Sequence, residues 1–221
     1  MKVLLIGATG GTGREILPRL LAAGHCVKAP ARRPEAVVTV HENLQIVAGS
    51  VLDPDLIDQA MQGQDAVMSA FGPRSLKASD VQEVLMRNIL DSMKRHDVRR
   101  FVNLSAWGAQ ESHKRINIMQ TVLQGLLLRN IFADKKRGEN LLFASNIDYV
   151  NVCPGRLLNK SPRGGVRASI DGSGISHSMT RADLAEWMVG QLTSDSWLRQ
   201  SPVIGYDKGR GATTSNYPSS S

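Results

Sequence analysis

The chain has 221 residues, of which 42% are hydrophobic and 21% charged, a composition typical of one globular α/β domain. Its formal net charge is +7, but the basic residues lack aromatic neighbours and form no nucleic-acid motif, so DNA or RNA binding is not expected. No apolar run is long enough to cross a membrane, and the N-terminal run is broken by Gly7 without a cleavage-site pattern. This pattern predicts a cytoplasmic protein.

Strand and helix patterns alternate along the chain, which predicts an α/β fold with a parallel sheet and helices on both faces. In chain order, the predicted strands are 2–6, 26–31, 44–48, 65–71, 100–105, 148–153 and 202–206. The predicted helices are 14–23, 56–61, 79–96, 116–144 with a break or bend suggested by Asn130 and Gly138, and 181–192. Pro30 is expected to end the second strand, and Asp53 to cap the second helix.

A glycine-rich turn joins the first predicted strand to the first helix. Its residues are Gly7, Ala8, Thr9, Gly10, Gly11, Thr12 and Gly13. Gly7 can adopt the positive φ of a sharp turn, Gly10 lets backbone approach a diphosphate, and Gly13 lets the helix lie near the strand. Thr9 and Thr12 add hydroxyl donors, and the helix N-terminus favours an anion. A flexible turn is the alternative, but the flanking strand and helix favour a dinucleotide site.

These features together predict a single doubly wound Rossmann domain over residues 1–206. Residues 207–221 have no apolar periodicity and are expected to form a flexible C-terminal tail. In such a domain the ligand lies across the carboxyl ends of the strands, so we expect the residues that follow five strands to line one crevice. They are Arg32-Arg33, Ser50-Val51, Phe71-Gly72-Pro73-Arg74, Ser105-Ala106-Trp107 and Pro154-Gly155-Arg156.

The end of the second strand indicates which dinucleotide is bound. NAD-specific folds place an acidic residue there to accept from the ribose hydroxyl, whereas this chain has Arg32 and Arg33 and no acid before Glu35. A guanidinium cannot accept a hydrogen bond but pairs well with a 2′-phosphate. Two solvated loop arginines are the alternative. The sequence predicts NADP as cofactor and no metal.

The motif residues resemble a known family in order and spacing, up to about Tyr206. They are Gly7–Gly13, Arg32, Gly63–Val67, Gly72-x-Arg74, Leu104–Ala106 and Ile147–Tyr149. This set is similar to the atypical short-chain dehydrogenases of the NmrA-like, NAD(P)-binding group, and within it to the NADPH-dependent flavin and biliverdin reductases. The chain departs from those reductases at Ser50, where they have an aspartate, at Arg156, where they have an active-site histidine, and in the loop over 107–120.

The resemblance implies a role for residues at each strand end. It places the diphosphate on Gly7, Thr9, Gly10 and Thr12, the 2′-phosphate on Arg32, the adenine beside Ser50 and Val51, and the nicotinamide beside Ser105 and Ala106. Phe71, Gly72 and Arg74 are implied to follow the cofactor. We expect Gly11, Gly13, Arg33 and Pro154 to contribute to the same cofactor site.

The sequence lacks the tyrosine–lysine pair that many short-chain dehydrogenases use for acid catalysis. Many short-chain dehydrogenases protonate a carbonyl oxygen through a Tyr-x-x-x-Lys pair, but Tyr149, Tyr206 and Tyr217 all lack a lysine four residues later. An acceptor with delocalised electrons needs less acid catalysis. The sequence therefore favours an NADPH-dependent reductase of a flavin, quinone or bilin-like acceptor. A non-catalytic NAD(P) sensor of the NmrA-like type is the alternative hypothesis.

Three side chains are candidates for contact with such an acceptor. Ser105 can hydrogen-bond the substrate or the nicotinamide carboxamide, and Arg156 can attract an anionic substrate. Trp107, together with Met119, can cover the pocket. For each of these a purely structural role is the alternative. The sequence identifies neither the substrate nor the oligomeric state.

Overall fold

A computed structural model of the chain describes residues 1–72, 80–107 and 133–208. The strands are β1 (Lys2–Ile6), β2 (Cys26–Ala31), β3 (Leu44–Ala48), β4 (Ala66–Ser69), β5 (Arg100–Leu104), β6 (Asp148–Pro154), β7 (Arg156–Leu158), β8 (Val166–Ser169), β9 (Ser178–Thr180) and β10 (Val203–Tyr206). The helices are α1 (Gly13–Ala22), α2 (Pro54–Met61), α3 (Val81–Arg95), α4 (residues 133–144) and α5 (Arg181–Gly190), with a 3₁₀ turn at Pro34–Ala36.

The main sheet has eight strands in the order β3-β2-β1-β4-β5-β6-β10-β8. All neighbours are parallel except β10 and β8, which pair in antiparallel fashion. The predicted doubly wound Rossmann fold is therefore confirmed, with one antiparallel edge strand. The strand order reverses between β1 and β4, and the crevice at such a reversal is where open α/β sheets bind ligands.

Alternate residues of β1 face the two sides of the sheet and supply two hydrophobic cores. Val3 and Leu5 pack in the core that contains the apolar residues of α1 and α5. Leu4 and Ile6 pack in the core that contains those of α2 and α3. Because both faces are covered, β1 is a continuous apolar run rather than an alternating one, which is typical of a central parallel strand.

Most predicted elements lie within two residues of the observed ones, but several details differ. The Asp53 cap is confirmed, since its Oδ1 accepts from the N–H of Asp55 at 3.0 Å. The prediction that β2 ends at Pro30 is wrong, since β2 continues to Ala31, which pairs with β3. Pro30 is tolerated inside the strand because β1 pairs with β2 only as far as Lys28, so at Pro30 the strand is paired on one side only. The short parallel pair β7–β9 and the edge strand β8 were not predicted.

Helices α3 and α4 are joined by a cap that comes from the neighbouring helix. The side chain of Asp80, the residue before α3, makes no capping hydrogen bond. Instead, the buried carboxylate of Asp134 in α4 accepts from the N–H groups of Gln82 at 3.0 Å and Glu83 at 3.2 Å. Helix α4 is continuous through Gly138, so the predicted break does not occur there, and the predicted helical residues 116–132, including Asn130, lie outside the described residues. A Cβ on Gly138 would meet the Gln82 carbonyl oxygen at 3.0 Å, so this glycine allows close helix packing.

The first turn of helix α5 contains a buried carboxylate, that of Asp183. Thr180 is the N-cap, and its hydroxyl oxygen accepts from the N–H of Asp183 at 3.1 Å. The Asp183 carboxylate in turn accepts from the Thr180 hydroxyl, the Tyr206 hydroxyl and the N–H groups of Arg163 and Gly164. Burial raises the pKa of Asp183, but these hydrogen bonds outweigh it and hold the pKa below its usual value.

No helix in the described ranges is both long and apolar enough to cross a membrane. The cysteines Cys26 and Cys153 differ in environment: Cys26 is exposed and Cys153 is buried. Asp207 pairs with Arg167 at 2.7 Å, and the tail beyond residue 208 lies outside the described residues.

We expect the substitution Asp183→Asn to lower the free energy of unfolding at pH 7 by about 2–4 kcal/mol, because the carboxylate accepts four hydrogen bonds, two of them from buried hydroxyls. Its folded pKa is depressed, so its stabilisation is present above the unfolded pKa of about 3.9 and is lost as pH falls through the folded value. Urea unfolding at pH 7, 5 and 3 should therefore show a difference between variant and wild type that shrinks below about pH 4.

The control is Asp97→Asn, whose side chain is 93% exposed and which should stay within about 0.5 kcal/mol of wild type. Equal unfolding free energies for Asp183→Asn and wild type at pH 7 would contradict the assigned role of Asp183.

Candidate functional site

The glycine turn after β1 is shaped by close backbone contacts. Gly7 has φ +85°, and a Cβ there would lie 2.9 Å from the carbonyl carbon and oxygen of Ala70 at the end of β4. A Cβ on Gly13 would lie 2.0 Å from the Gly7 carbonyl oxygen, so the first residue of α1 rests directly on the turn. Gly10 donates its N–H to the same oxygen at 2.9 Å. No larger residue fits at Gly7 or Gly13.

The turn also presents backbone donors. Among the described residues, the N–H groups of Gly11 and Thr12, which precede α1, form no hydrogen bond. Thr12 is buried and makes no side-chain cap on the helix. Unpaired N–H groups at a helix N-terminus, strengthened by the helix dipole, are suited to an anion.

A cavity of about 300 Å³ opens beside the turn, at the point where the strand order reverses. It brings together eight predicted cofactor residues: Gly7, Thr9, Gly10, Arg32, Ser50, Val51, Phe71 and Gly72. A larger cavity of about 480 Å³ lies at the amino ends of β5 and β6 and contains no predicted site residue. The smaller cavity has the chemistry of a ligand site because donors, a cation and apolar walls converge there.

The two arginines after β2 are in different positions. Arg32 lines the cavity and, within the described ranges, forms no ion pair with a carboxylate. Arg33 is exposed at the start of the 3₁₀ turn and is not part of the cavity wall, so the structure does not bring it into the predicted site. Successive residues of an extended chain point to opposite sides, which separates the pair.

The predicted adenine side is formed by the turn after β3. Gly49 has φ +148°, and a Cβ there would lie 2.4 Å from Cδ1 of Leu56, so only glycine lets this turn pack against α2. The Ser50 hydroxyl accepts from the N–H of Leu52 at 3.3 Å and thereby closes the turn. Ser50 and Val51 both line the cavity.

The residues after β5 and β6 lie beside one another at the same edge of the sheet. The N–H of Ser105 donates to Val152 at 2.7 Å and that of Trp107 to Pro154 at 2.8 Å, which extends the β5–β6 ladder. Trp107 stacks on His177 with ring centroids 4.6 Å apart. These residues do not line the 300 Å³ cavity.

Arg156 is exposed in β7, and its N–H donates to the carbonyl oxygen of His177 at 2.7 Å. Ala106 lies between Ser105 and Trp107 and is half-buried. The predictions for Arg74 and Met119 fall outside the described residues.

A buried polar cluster under this edge was missed by the sequence analysis. Ser105 donates its hydroxyl to the Glu139 carboxylate, and Asn151 Nδ2 donates to the same oxygen at 3.3 Å. Lys135 Nζ donates to the Leu104 carbonyl oxygen at 3.1 Å. Lys135 and Glu139 are one turn apart on α4 and both are buried. The available signal was this polar i,i+4 pair on a helix face that also carries the buried Leu142.

Burial sets the protonation of this cluster. It lowers the pKa of Lys135, while the charge of Glu139 acts in the opposite direction. Burial and the Glu139 charge raise the pKa of Cys153 to about 12, so its thiol stays protonated near neutral pH. Within the described residues, the second oxygen of Glu139 has no hydrogen-bond partner.

Neither described tyrosine is placed to act as a catalytic acid. Tyr149 is buried against Phe143 with ring centroids 5.5 Å apart, and burial raises its pKa. Tyr206 is buried and donates its hydroxyl to Asp183, and burial, followed by that hydrogen bond, raises its pKa. Tyr217 lies outside the described residues. The described ranges also contain no group of three or more His, Cys, Asp or Glu side chains that could hold a metal ion.

A Rossmann sheet with a glycine turn, and with a cavity where the strand order reverses, is typical of the class of nucleotide-binding α/β proteins. Within that class, residues 7–195 match an NAD(P)H-binding family, and the chain belongs to that family. The resemblance stated from the motif residues is thus confirmed at the level of NAD(P)H binding.

The chain is also similar to curated proteins. The chain is 30% identical to a chloroplastic protein of Arabidopsis thaliana described as uncharacterized, over 88% of the chain and 72% of that protein. It is 25% identical to a photosystem II assembly factor of Synechocystis over 67% of the chain, but spans only 43% of that protein's length. What these proteins do as a whole is therefore not transferred to the chain.

Two solved structures share the fold. An anaerobilin reductase from Escherichia coli superposes with a TM-score of 0.79 at 21% identity, covering 96% of this chain and all of the other. A short-chain dehydrogenase/reductase from Veillonella parvula in complex with NADP superposes with a TM-score of 0.76 at 18% identity, covering 92% and 94%. At these identities the likeness establishes the fold alone.

We expect Gly13→Ala to destabilise the protein by about 2–4 kcal/mol, because the new Cβ must push α1 away from the Gly7 carbonyl oxygen. Gly190→Ala in α5 is the matched control, since, apart from its own stretch of helix, no atom of the described residues lies within 4 Å of its added Cβ. Urea unfolding should show a loss for Gly13→Ala and a gain of up to about 1 kcal/mol for Gly190→Ala. Identical transitions for Gly13→Ala and wild type would disprove the close contact.

Proposed function

We propose that the chain is an NADPH-dependent reductase that transfers a hydride to a planar conjugated acceptor such as a flavin, a quinone or a bilin. The observation that carries the proposal is the cavity beside the glycine turn, in which Arg32 is the charged residue among the described lining residues. The family supports a nicotinamide cofactor, and the NADP-bound relative of the same fold is compatible with the phosphorylated form.

The residues present fit this cofactor. The unpaired N–H groups of Gly11 and Thr12 suit a diphosphate, and Arg32 suits a 2′-phosphate because a guanidinium donates two parallel hydrogen bonds to it. Ser50 and Val51 line the cavity at the end of β3, where the adenine would lie. Bound NADPH would supply the hydride, and the chain itself would bind and orient the two rings.

The edge formed by Ser105, Trp107 and Arg156 suits a flat acceptor better than an isolated carbonyl. The sequence contains no Tyr-x-x-x-Lys pair, and the two described tyrosines are buried in structural contacts. Arg156 is an exposed cation that can attract a phosphate or carboxylate on the acceptor. A conjugated product can take its proton from solvent. The bilin substrate named for the relative from Escherichia coli is of this chemical class.

A non-catalytic NAD(P) sensor is the second candidate. It is favoured by the relative named as a photosystem II assembly factor, a description without a stated reaction. In that case the dinucleotide would be bound in the same cavity but no acceptor would be reduced.

NADPH should bind about tenfold more tightly than NADH or better, because a charge-assisted contact to the 2′-phosphate contributes about 1.5–3 kcal/mol. The substitution Arg32→Ala should abolish most of that preference and leave NADH affinity nearly unchanged. Arg33→Ala is the matched control, since Arg33 lies outside the cavity wall. Isothermal titration calorimetry measures all six affinities. Equal affinities in the wild type would refute the assignment of NADP.

A panel of flavins, quinones and bilins with excess NADPH tests the reaction itself. We expect turnover of at least one conjugated acceptor, and Arg156→Ala should raise KM for phosphorylated acceptors more than for neutral ones. Absorbance at the NADPH band reports oxidation, and the acceptor spectrum reports reduction. Tight NADPH binding without turnover of any acceptor would reject the reductase and support the sensor.

A further inference from the structure

The side chain of Arg181 lies across the glycine turn. Arg181 is the first residue of α5, yet its Nε is 2.9 Å and its Cδ 3.3 Å from the position that a Cβ on Gly11 would take. The fold thus brings a cation from the C-terminal half of the chain onto the N-terminal turn. Helices α1 and α5 pack in the same hydrophobic core, which places Arg181 close to the turn that precedes α1.

Gly11 differs from the other glycines of the turn in what requires it. Gly7 has a positive φ and Gly13 touches the Gly7 carbonyl oxygen, whereas Gly11 has no positive φ, and the three atoms nearest to a Cβ at Gly11 all belong to the Arg181 side chain. A residue with a side chain could adopt the backbone of Gly11 but would displace Arg181. The glycine at this position is therefore explained by the room that it leaves for the guanidinium.

The guanidinium is held in place but is not neutralised. Its Nη1 donates to Asn159 Oδ1 at 2.6 Å and to the Leu157 carbonyl oxygen at 3.4 Å. In residues 1–72, 80–107 and 133–208, Arg181 forms no ion pair, and its Nε and Nη2 have no hydrogen-bond acceptor. A half-buried arginine without a carboxylate leaves positive charge beside the unpaired N–H groups of Gly11 and Thr12.

We propose that Arg181 is, after Arg32, the second phosphate-binding cation of the site. Its side chain, which lies next to Gly11, binds the diphosphate of the dinucleotide at the glycine turn, an assignment that rests on the proposed cofactor site. A diphosphate carries two negative charges, and the backbone N–H groups supply only partial positive charge. Arg32 is assigned to the 2′-phosphate at the other end of the adenosine. Arg181 therefore supplies the full charge that the turn lacks, and Asn159 fixes its direction.

Two nucleotide fragments separate the two arginines. ADP-ribose contains the diphosphate without a 2′-phosphate, and 2′-AMP contains the 2′-phosphate without a diphosphate. Calorimetric titration of Arg181→Met should show about tenfold weaker binding of ADP-ribose and unchanged binding of 2′-AMP. Arg32→Ala should show the reverse. NADPH and NADH should weaken by the same factor in Arg181→Met, and the slope of affinity against salt should become less steep.

Two further variants distinguish loss of the Arg181 contact from a general loss of stability or of positive charge. Gly11→Ala keeps the charge of Arg181 but pushes its side chain aside, and should weaken ADP-ribose binding less than Arg181→Met does. Arg167→Met removes an arginine that pairs with Asp207, and should leave both fragments unaffected. Thermal unfolding of each variant identifies any that is destabilised.

Unchanged ADP-ribose affinity in a folded Arg181→Met variant would overturn the assignment, as would a loss confined to 2′-AMP and NADPH. If wild type binds dinucleotides but reduces no acceptor, the reductase fails while the role of Arg181 stands. If wild type binds neither ADP-ribose nor NADPH, both are rejected.

Discussion

The contact between Gly13 and the carbonyl oxygen of Gly7 is the constraint on which the rest of the structure depends. It sets how closely α1 approaches the end of β1, the central strand whose alternate residues fill both hydrophobic cores. The same helix packs against α5, whose first turn contains the buried Asp183 carboxylate and whose first residue, Arg181, lies against the turn. A side chain at Gly13 would therefore disturb the turn, the helix layer and the candidate phosphate site together.

The buried cluster around Glu139 restricts what Ser105 can do. A hydroxyl has one proton, and Ser105 gives that proton to Glu139, so its oxygen is left to accept a hydrogen bond from any group that approaches it. The amide N–H₂ of a carboxamide satisfies this requirement, whereas a carbonyl oxygen does not. Buried Lys135 and Glu139 are also costly to desolvate, which is why they are hydrogen-bonded rather than free.

The sequence predicted the parts of the fold that depend on local pattern. The glycine turn, the apolar runs of the central strands and the Asp53 cap all carry their own signal, and Arg32 follows from its place after β2. The exclusion of Arg33 and the pairing of β7 with β9 depend on side-chain direction and on distant segments, which composition does not encode. Lys135 and Glu139 were missed because charged residues on a helix ordinarily face solvent, and only the neighbouring sheet shows that they are buried.

Helix α4 fixes the spacing between two of its carboxylates, one of which binds the start of α3 and the other the residue after β5. Asp134 holds the N-terminus of α3, and Glu139, five residues later on the same helix, holds Ser105 at the end of β5. Each residue of a helix advances the chain by about 1.5 Å and turns it by about 100°, so one inserted or deleted residue between them would rotate one of the two carboxylates out of reach. The length of this segment is therefore fixed far more strictly than the identity of the side chains on its outer face.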